Sequence, residues 1–166
     1  MFFSIIITLF LGSVIGIITS VSVYGFITLV KFLTKVFRDP EKNIDSLNYI
    51  LENPSEFLLY IILIPSSVGL LVGWLRKFSL ESRWHGPPDV ILATHSEKKP
   101  LDIKSGFLTS FSSILSISAG GSVGQYGPLV HFGATIGAEI NSLFPKKAQY
   151  DIVIGAGVAS AISSGF

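Results

Sequence analysis

No charged side chain occurs between Met1 and Val30, and the run IIITLFLGSVIGIITSVSVYGFITLV inside that stretch is continuously apolar. A helix rising about 1.5 Å per residue crosses a hydrocarbon layer of about 30 Å with roughly 20 such residues, so this run is long enough to span a bilayer. A cleaved signal peptide is the competing reading. It calls for a basic leading region and a shorter apolar run, and both are missing. The pattern recurs from Phe57 to Leu75, FLLYIILIPSSVGLLVGWL, which Arg76 and Lys77 close. Pro65 inside it predicts a kink, with Ser66, Ser67 or a neighbouring helix taking up the freed carbonyl. A third charge-free stretch, Ser105 to Ala138, is too long for one ordinary spanning helix and is broken near its middle by AGGSVGQYGP. Two helices meeting at a break are expected there. The last run, IVIGAGVASAISSGF, is charge-free to the final residue.

Charged residues make up only 14% of the chain, against about 25% in an average soluble domain, while mean hydropathy is +0.62. A soluble globule of 166 residues would need more charge to cover its surface. The net charge of +1 supplies no field for nucleic acid. Without cysteine there is no disulfide framework and no thiolate chemistry.

These features predict an all-α, polytopic membrane protein, a helical bundle forming one transmembrane domain over residues 1–166. Helices are expected near 3–37, 56–78, 86–95, 104–119, 127–143 and 148–166. The polar stretches KFLTKVFRDPEKNIDSLNYILENPSE, SEKKP and FPKKAQYD read as a helix end, an aqueous loop and turns. Three G-x-x-x-G pairs, Gly12 and Gly16, Gly69 and Gly73, Gly133 and Gly137, predict close helix packing. Strands are not expected, because the apolar segments are continuous instead of alternating.

Two helix starts carry the chemistry. In GPPDVILATH, Pro87 and Pro88 lie just inside a helix beginning, and the apolar stretch is too short to cross a bilayer. It reads as a re-entrant half-helix. In GSVGQYGPLVHFGATIGAEI, Gly127 and Pro128 mark a second helix start, flanked by apolar sequence on both sides. Half-helix N-termini inside a membrane, with orphan N–H groups and positive dipole ends, suit an anion. Ordinary proline-capped kinks fit the same residues.

The order of these motifs resembles the CLC family of chloride channels and proton-coupled chloride exchangers. In that family G-S-G-I-P-E opens one half-helix and G-[KR]-E-G-P another. Here Trp84-His85-Gly86-Pro87-Pro88-Asp89 resembles the first and Gly124-Gln125-Tyr126-Gly127-Pro128 the second. Gly133 and Gly137 fit the small positions that follow, and GAGVASAISSGF is similar to the family's next helix start, roughly G-A-A-A-G-L-A-A-A-F. The resemblance implies an anion-binding set of His85, Gly86, Pro87, Gly127, Pro128, Leu129 and Val130. It places His85 where the family's serine donates a hydroxyl to chloride, a role that an imidazole N–H can also fill. It places Tyr126 on the gating glutamate, and a phenol with a pKa of about 10 carries no proton to and fro at neutral pH. Gln125 stands where the family has a basic residue.

The resemblance therefore implies a passive chloride channel without proton coupling, with chloride as the transported ion and no cofactor. It implies a multi-pass integral membrane protein with its N-terminus in the cytoplasm, in the cell membrane if bacterial, and a homodimer when complete. Further elements in a second half of the fold would lie beyond Phe166, so the chain reads as an N-terminal part of a truncated or split channel. A solute transporter of another broken-helix family and a non-transporting assembly subunit are the alternatives. Charge leaves the orientation open, because Arg76, Lys77, Arg83, Lys98, Lys99 and Lys104 balance Lys31, Lys35, Arg38, Lys42, Lys146 and Lys147.

His131 is expected to be structural, bonded to a neighbouring backbone group, and His95 to complement a helix C-terminus. Trp74 and Trp84 read as interfacial belt residues, and Glu139 and Asp151 as solvated. No Ser-His-Asp set, carboxylate pair or metal-spaced histidine cluster can be assembled, which points away from an enzyme.

Overall fold

The computed structural model describes residues 2–38, 47–79, 83–95, 100–122, 124–144 and 149–166. The expected polar loop around Pro40, and the turns at 96–99 and 145–148, lie outside the described residues. The described residues form seven α-helices and one 3-10 turn, with no strand among them. The helices are α1 (Phe2–Arg38), α2 (Leu47–Glu52), α3 (Pro54–Leu75), α4 (Pro87–His95), α5 (Ile103–Ser118), α6 (Tyr126–Leu143) and α7 (Tyr150–Gly165), and the 3-10 turn Arg76–Phe78 follows α3. The six expected helices are all present, and α2 is an addition inside the stretch read as loop.

Two helical stretches, Ile6–Phe37 and Pro54–Phe78, are long and apolar enough to cross a membrane. Most of their side chains point outward: Leu9, Phe10, Ile17, Val21, Leu58, Ile62 and Leu70 are all exposed. That is the arrangement expected of helices solvated by lipid. Helix α3 starts at Pro54, whose missing N–H costs nothing in the first turn, and Phe57 N–H donates to the Asn53 carbonyl at 3.1 Å. It runs unbroken through Pro65. The Ser67 hydroxyl bonds the Leu63 carbonyl at 2.5 Å, so it does not take up the Ile61 carbonyl that Pro65 leaves without a donor.

The core gathers around α6, where Leu129, His131, Ala134, Thr135, Ile136 and Ala138 are buried. Helix α7 lies along it, α1 and α5 flank the pair, α4 rests on α6 and α7, and α3 packs against α5. The α6–α7 crossing is set by glycine. A Cβ on Gly133 would strike the Gly157 carbonyl oxygen and Ala161, and one on Gly137 would come within 2.6 Å of the Val153 carbonyl oxygen. The other two G-x-x-x-G pairs are not used in this way. Gly12, Gly69 and Gly73 have nothing within 4 Å of an added Cβ, and Gly16 meets only the Ser160 hydroxyl at 3.4 Å. The expectation of three close approaches is corrected to one, because spacing marks where helices are able to approach and not where a partner lies.

Hydroxyls and aromatics complete the packing. Ser164 donates to Ser20 across α7 and α1 at 2.7 Å, and Ser118 donates to the Val30 carbonyl across α5 and α1 at 3.2 Å. Phe132 of α6 sits between Phe26 and Phe107, with ring centroids 5.7 and 6.0 Å away.

Candidate anion site

The Gly-rich break predicted between two helices is a helix stop followed by a helix start. Helix α5 begins with Asp102, whose carboxylate accepts from Ser105 N–H at 3.2 Å. It ends with Gly120 N–H donating to Ile117 and Gly121 N–H to the Ser116 carbonyl at 2.9 Å, a Schellman stop. Gly120 has φ +99°, and Gly124 has φ +71° just before α6 starts. A side chain at either would be strained, which accounts for the first glycine of GQYGP.

At the start of α6, Leu129 N–H donates to the Gln125 carbonyl at 3.1 Å. Val130, one residue on, belongs to the regular helical ladder. Pro128 has no N–H, so the orphan donors of this first turn are Tyr126 and Gly127. Of the residues expected at this end of the anion set, Gly127 keeps an amide without a helical partner, Leu129 and Val130 donate within the helix, and Pro128 has no N–H.

At the start of α4 the backbone is already satisfied. Pro87 and Pro88 have no N–H, and Gly86 N–H donates to the Asp89 carboxylate at 2.8 Å. The same carboxylate accepts from the Arg83 guanidinium at 2.6 Å, while the Gly86 carbonyl takes Asp89 N–H at 3.0 Å. His85 N–H donates to the Thr109 hydroxyl of α5 at 3.4 Å. On this side the main-chain amides are engaged within the chain, and the His85 side chain is buried beside them.

The two starts adjoin. A Cβ on Gly127 would lie 4.0 Å from Pro87 Cγ, and the His85 and His131 rings face edge to face with centroids 6.2 Å apart. His85 is 8% exposed and His131 1%. The backbone partner expected for His131 is not found, since neither ring nitrogen has a hydrogen-bond partner among the described residues. Its neighbour Thr135 donates to the His131 carbonyl at 2.8 Å. Tyr126 is the first residue of α6, 46% exposed, with its ring stacked on Phe166 at 4.8 Å.

Sequence reading missed Thr109. It belongs to a row of buried hydroxyls on α5, Ser105, Thr109 and Ser112, whose i, i+4, i+7 spacing is the signal that would have found it. Ser105 is bonded to Ser79 at 3.1 Å, which ties the chain ahead of α4 to α5. His95 behaves as expected: its Nδ1 bonds the Ile91 carbonyl at 2.9 Å at the end of α4. Trp74 is half exposed at the end of α3, and Asp151 is exposed. Glu139 is less open than expected, being only partly exposed.

Residues 68–166 match the family described as Voltage gated chloride channel. The chain is 32% identical over 157 residues to Chloride channel protein CLC-e of Arabidopsis thaliana, covering 92% of this chain and 21% of that protein. It is 24% identical over 163 residues to Voltage-gated ClC-type chloride channel ClcB of Escherichia coli, covering 95% of this chain and 37% of the relative. The chain thus spans well under half the length of these relatives. No solved structure matches it. Helical architecture, two apolar helices of spanning length, the paired helix starts and the match over most of its length agree: the chain belongs to the voltage gated chloride channel family.

Proposed function

We propose that this chain forms the first part of an anion pathway in a multi-pass, CLC-type membrane protein that moves chloride passively. The observation that carries the reading is the meeting of the α4 and α6 starts. Pro87 lies against Gly127, the first turn of α6 leaves the Tyr126 and Gly127 amides without helical partners, and the His85 ring faces His131 of α6. Several such donors, desolvated together, replace part of the hydration that a halide gives up on entering hydrocarbon.

Passive transport rests on Tyr126. At the position of the family's gating acid stands a phenol and no carboxylate, so in this reading it narrows the path without the group that would exchange protons. The remaining half of the fold and a second copy complete the pathway in this reading. The resident groups are side chains and backbone amides, with chloride as cargo.

The test is flux from proteoliposomes holding the protein as its gene encodes it, with internal chloride and a pH-sensitive dye. Chloride efflux that is charge-balanced by potassium and valinomycin, with no chloride-driven proton uptake, is expected. Proton uptake in fixed ratio to chloride overturns passive transport, and absence of any anion flux overturns the anion pathway.

A further inference from the structure

We propose that the end of α3 binds the headgroup of an acidic phospholipid, through Arg76, Lys77 and Lys104 beside the aromatic pair Trp74 and Phe78. The inference requires α3 to lie in a bilayer and does not depend on the anion pathway proposed above.

Along α3 the exposed side chains change in the order in which a lipid molecule does. Leu63, Leu70 and Leu71 are exposed apolar residues of the span. Trp74 and Phe78 follow, 53% and 49% exposed, with their rings edge to face at 5.0 Å. Exposed aromatic rings at the end of a span settle at the boundary between hydrocarbon and headgroups. Arg76 and Lys77 occupy the same turn and are both exposed. From Leu70 to Lys77 the helix advances about 10 Å, so a single lipid reaches from the apolar face to the basic turn.

The third cation comes from another helix. The Ser79 hydroxyl, just after the 3-10 turn, bonds the Ser105 hydroxyl at 3.1 Å and donates to the Arg83 carbonyl at 3.0 Å. These bonds join the end of α3 to the first turn of α5, where Lys104 is exposed. Lys104 shares a stripe of α5 with Leu108 and Leu115, at i, i+4 and i+11, and Leu115 clusters with Val68 of α3. Lys104 therefore stands on the side of α5 that meets α3, at the level of the end of α3.

The positive charge is not cancelled in place. Among the described residues neither Lys77 nor Lys104 has an ion pair. The acids at this end are engaged elsewhere, Asp89 with Arg83 and Gly86 N–H, and Asp102 with Ser105 N–H. A phosphodiester with net negative charge complements the three cations, and a zwitterionic headgroup brings its own cation and gains less. The exposed leucines of α3 take the acyl chains of the same molecule, for which a soluble phosphate has no counterpart. Attraction of this kind acts at the membrane surface and is screened by salt.

The test places the protein as its gene encodes it in liposomes of phosphatidylglycerol and phosphatidylcholine, with brominated acyl chains on one lipid or the other. Quenching at Trp74 is read as the difference between the parent and Trp74→Phe. Brominated phosphatidylglycerol is expected to quench at a lipid fraction on the order of threefold lower than brominated phosphatidylcholine, and the preference should shrink in roughly 0.5 M salt. Lys77→Gln and Lys104→Gln should each reduce the preference. Lys35→Gln should not, because the end of α1 meets the far end of α5, where Ser118 donates to the Val30 carbonyl. Circular dichroism checks the helical fold of each variant, and native mass spectrometry of the parent counts the phosphatidylglycerol it retains. Equal quenching by the two lipids, or a preference that survives in the folded double variant Lys77→Gln/Lys104→Gln, overturns the site. Quenching by neither lipid means that protein covers the end of α3, which also overturns it. Loss of the preference on adding millimolar glycerol phosphate assigns the cations to a soluble phosphate and overturns the lipid.

Discussion

Gly133 of α6 and Gly157 of α7 meet backbone to backbone, and a Cβ on either would strike the carbonyl oxygen of the other. Obstruction by main-chain atoms cannot be relieved by rotating a side chain, so only separation of the helices would make room. Gly133→Ala and Gly157→Ala should each destabilise the protein by about 1–3 kcal/mol, seen as earlier thermal unfolding in detergent. Gly12→Ala and Gly69→Ala, with open space around the new methyl, should unfold with the parent. Equal losses at all four positions would mean that the α6–α7 crossing is not the tight one.

Asp89 does two things at the start of α4, accepting from Gly86 N–H and from Arg83. The cap is worth about 1 kcal/mol, whereas an ion pair whose arginine is 47% exposed contributes little. Asp89→Ala should accelerate amide exchange across α4 by several fold, and Arg83→Gln should change it far less. The reverse order would show that the ion pair holds this helix start.

The Tyr150 hydroxyl accepts Leu101 N–H at 2.8 Å, tying the segment between α4 and α5 to the start of α7. In Tyr150→Phe the buried residue Leu101 keeps its N–H and loses the acceptor, at a cost of about 1 kcal/mol or more. Faster hydrogen exchange at Leu101 with little change along α6 is expected. An unchanged Leu101 amide would count against the bond.

Tyr126 stacks on Phe166 and stands at the first turn of α6. Tyr126→Ala should raise chloride flux from proteoliposomes by removing the ring from the path, and Tyr126→Glu should make that flux sensitive to external pH. Flux unaltered by both would place the phenol outside the path.

Most helices were legible because each is a local matter in this chain. An uninterrupted apolar run has to satisfy its own backbone in lipid, and proline and glycine mark where it starts and stops. That logic located α1, α3, α5, α6 and α7, and the short run after Pro87 gave α4. It missed α2, since LNYILE is six residues set among charges and carries no apolar period long enough to read. The Voltage gated chloride channel resemblance was likewise readable, because it resides in the order of two short motifs.

What only the tertiary structure decided concerns partners distant in sequence. The composition of GPPD shows that two amides are missing from α4, but folding is what turns Asp89 back onto Gly86 and Arg83. Spacing made three glycine pairs equivalent; packing put a second backbone against Gly133 and Gly137 and left open space beside Gly12 and Gly69. His131 looked like a satisfied core residue from its neighbours in the chain. It faces His85 because α4 and α6 are brought together by α5 and α7, and pairing of this kind depends on side chains from separate helices whose relative placement no local pattern encodes.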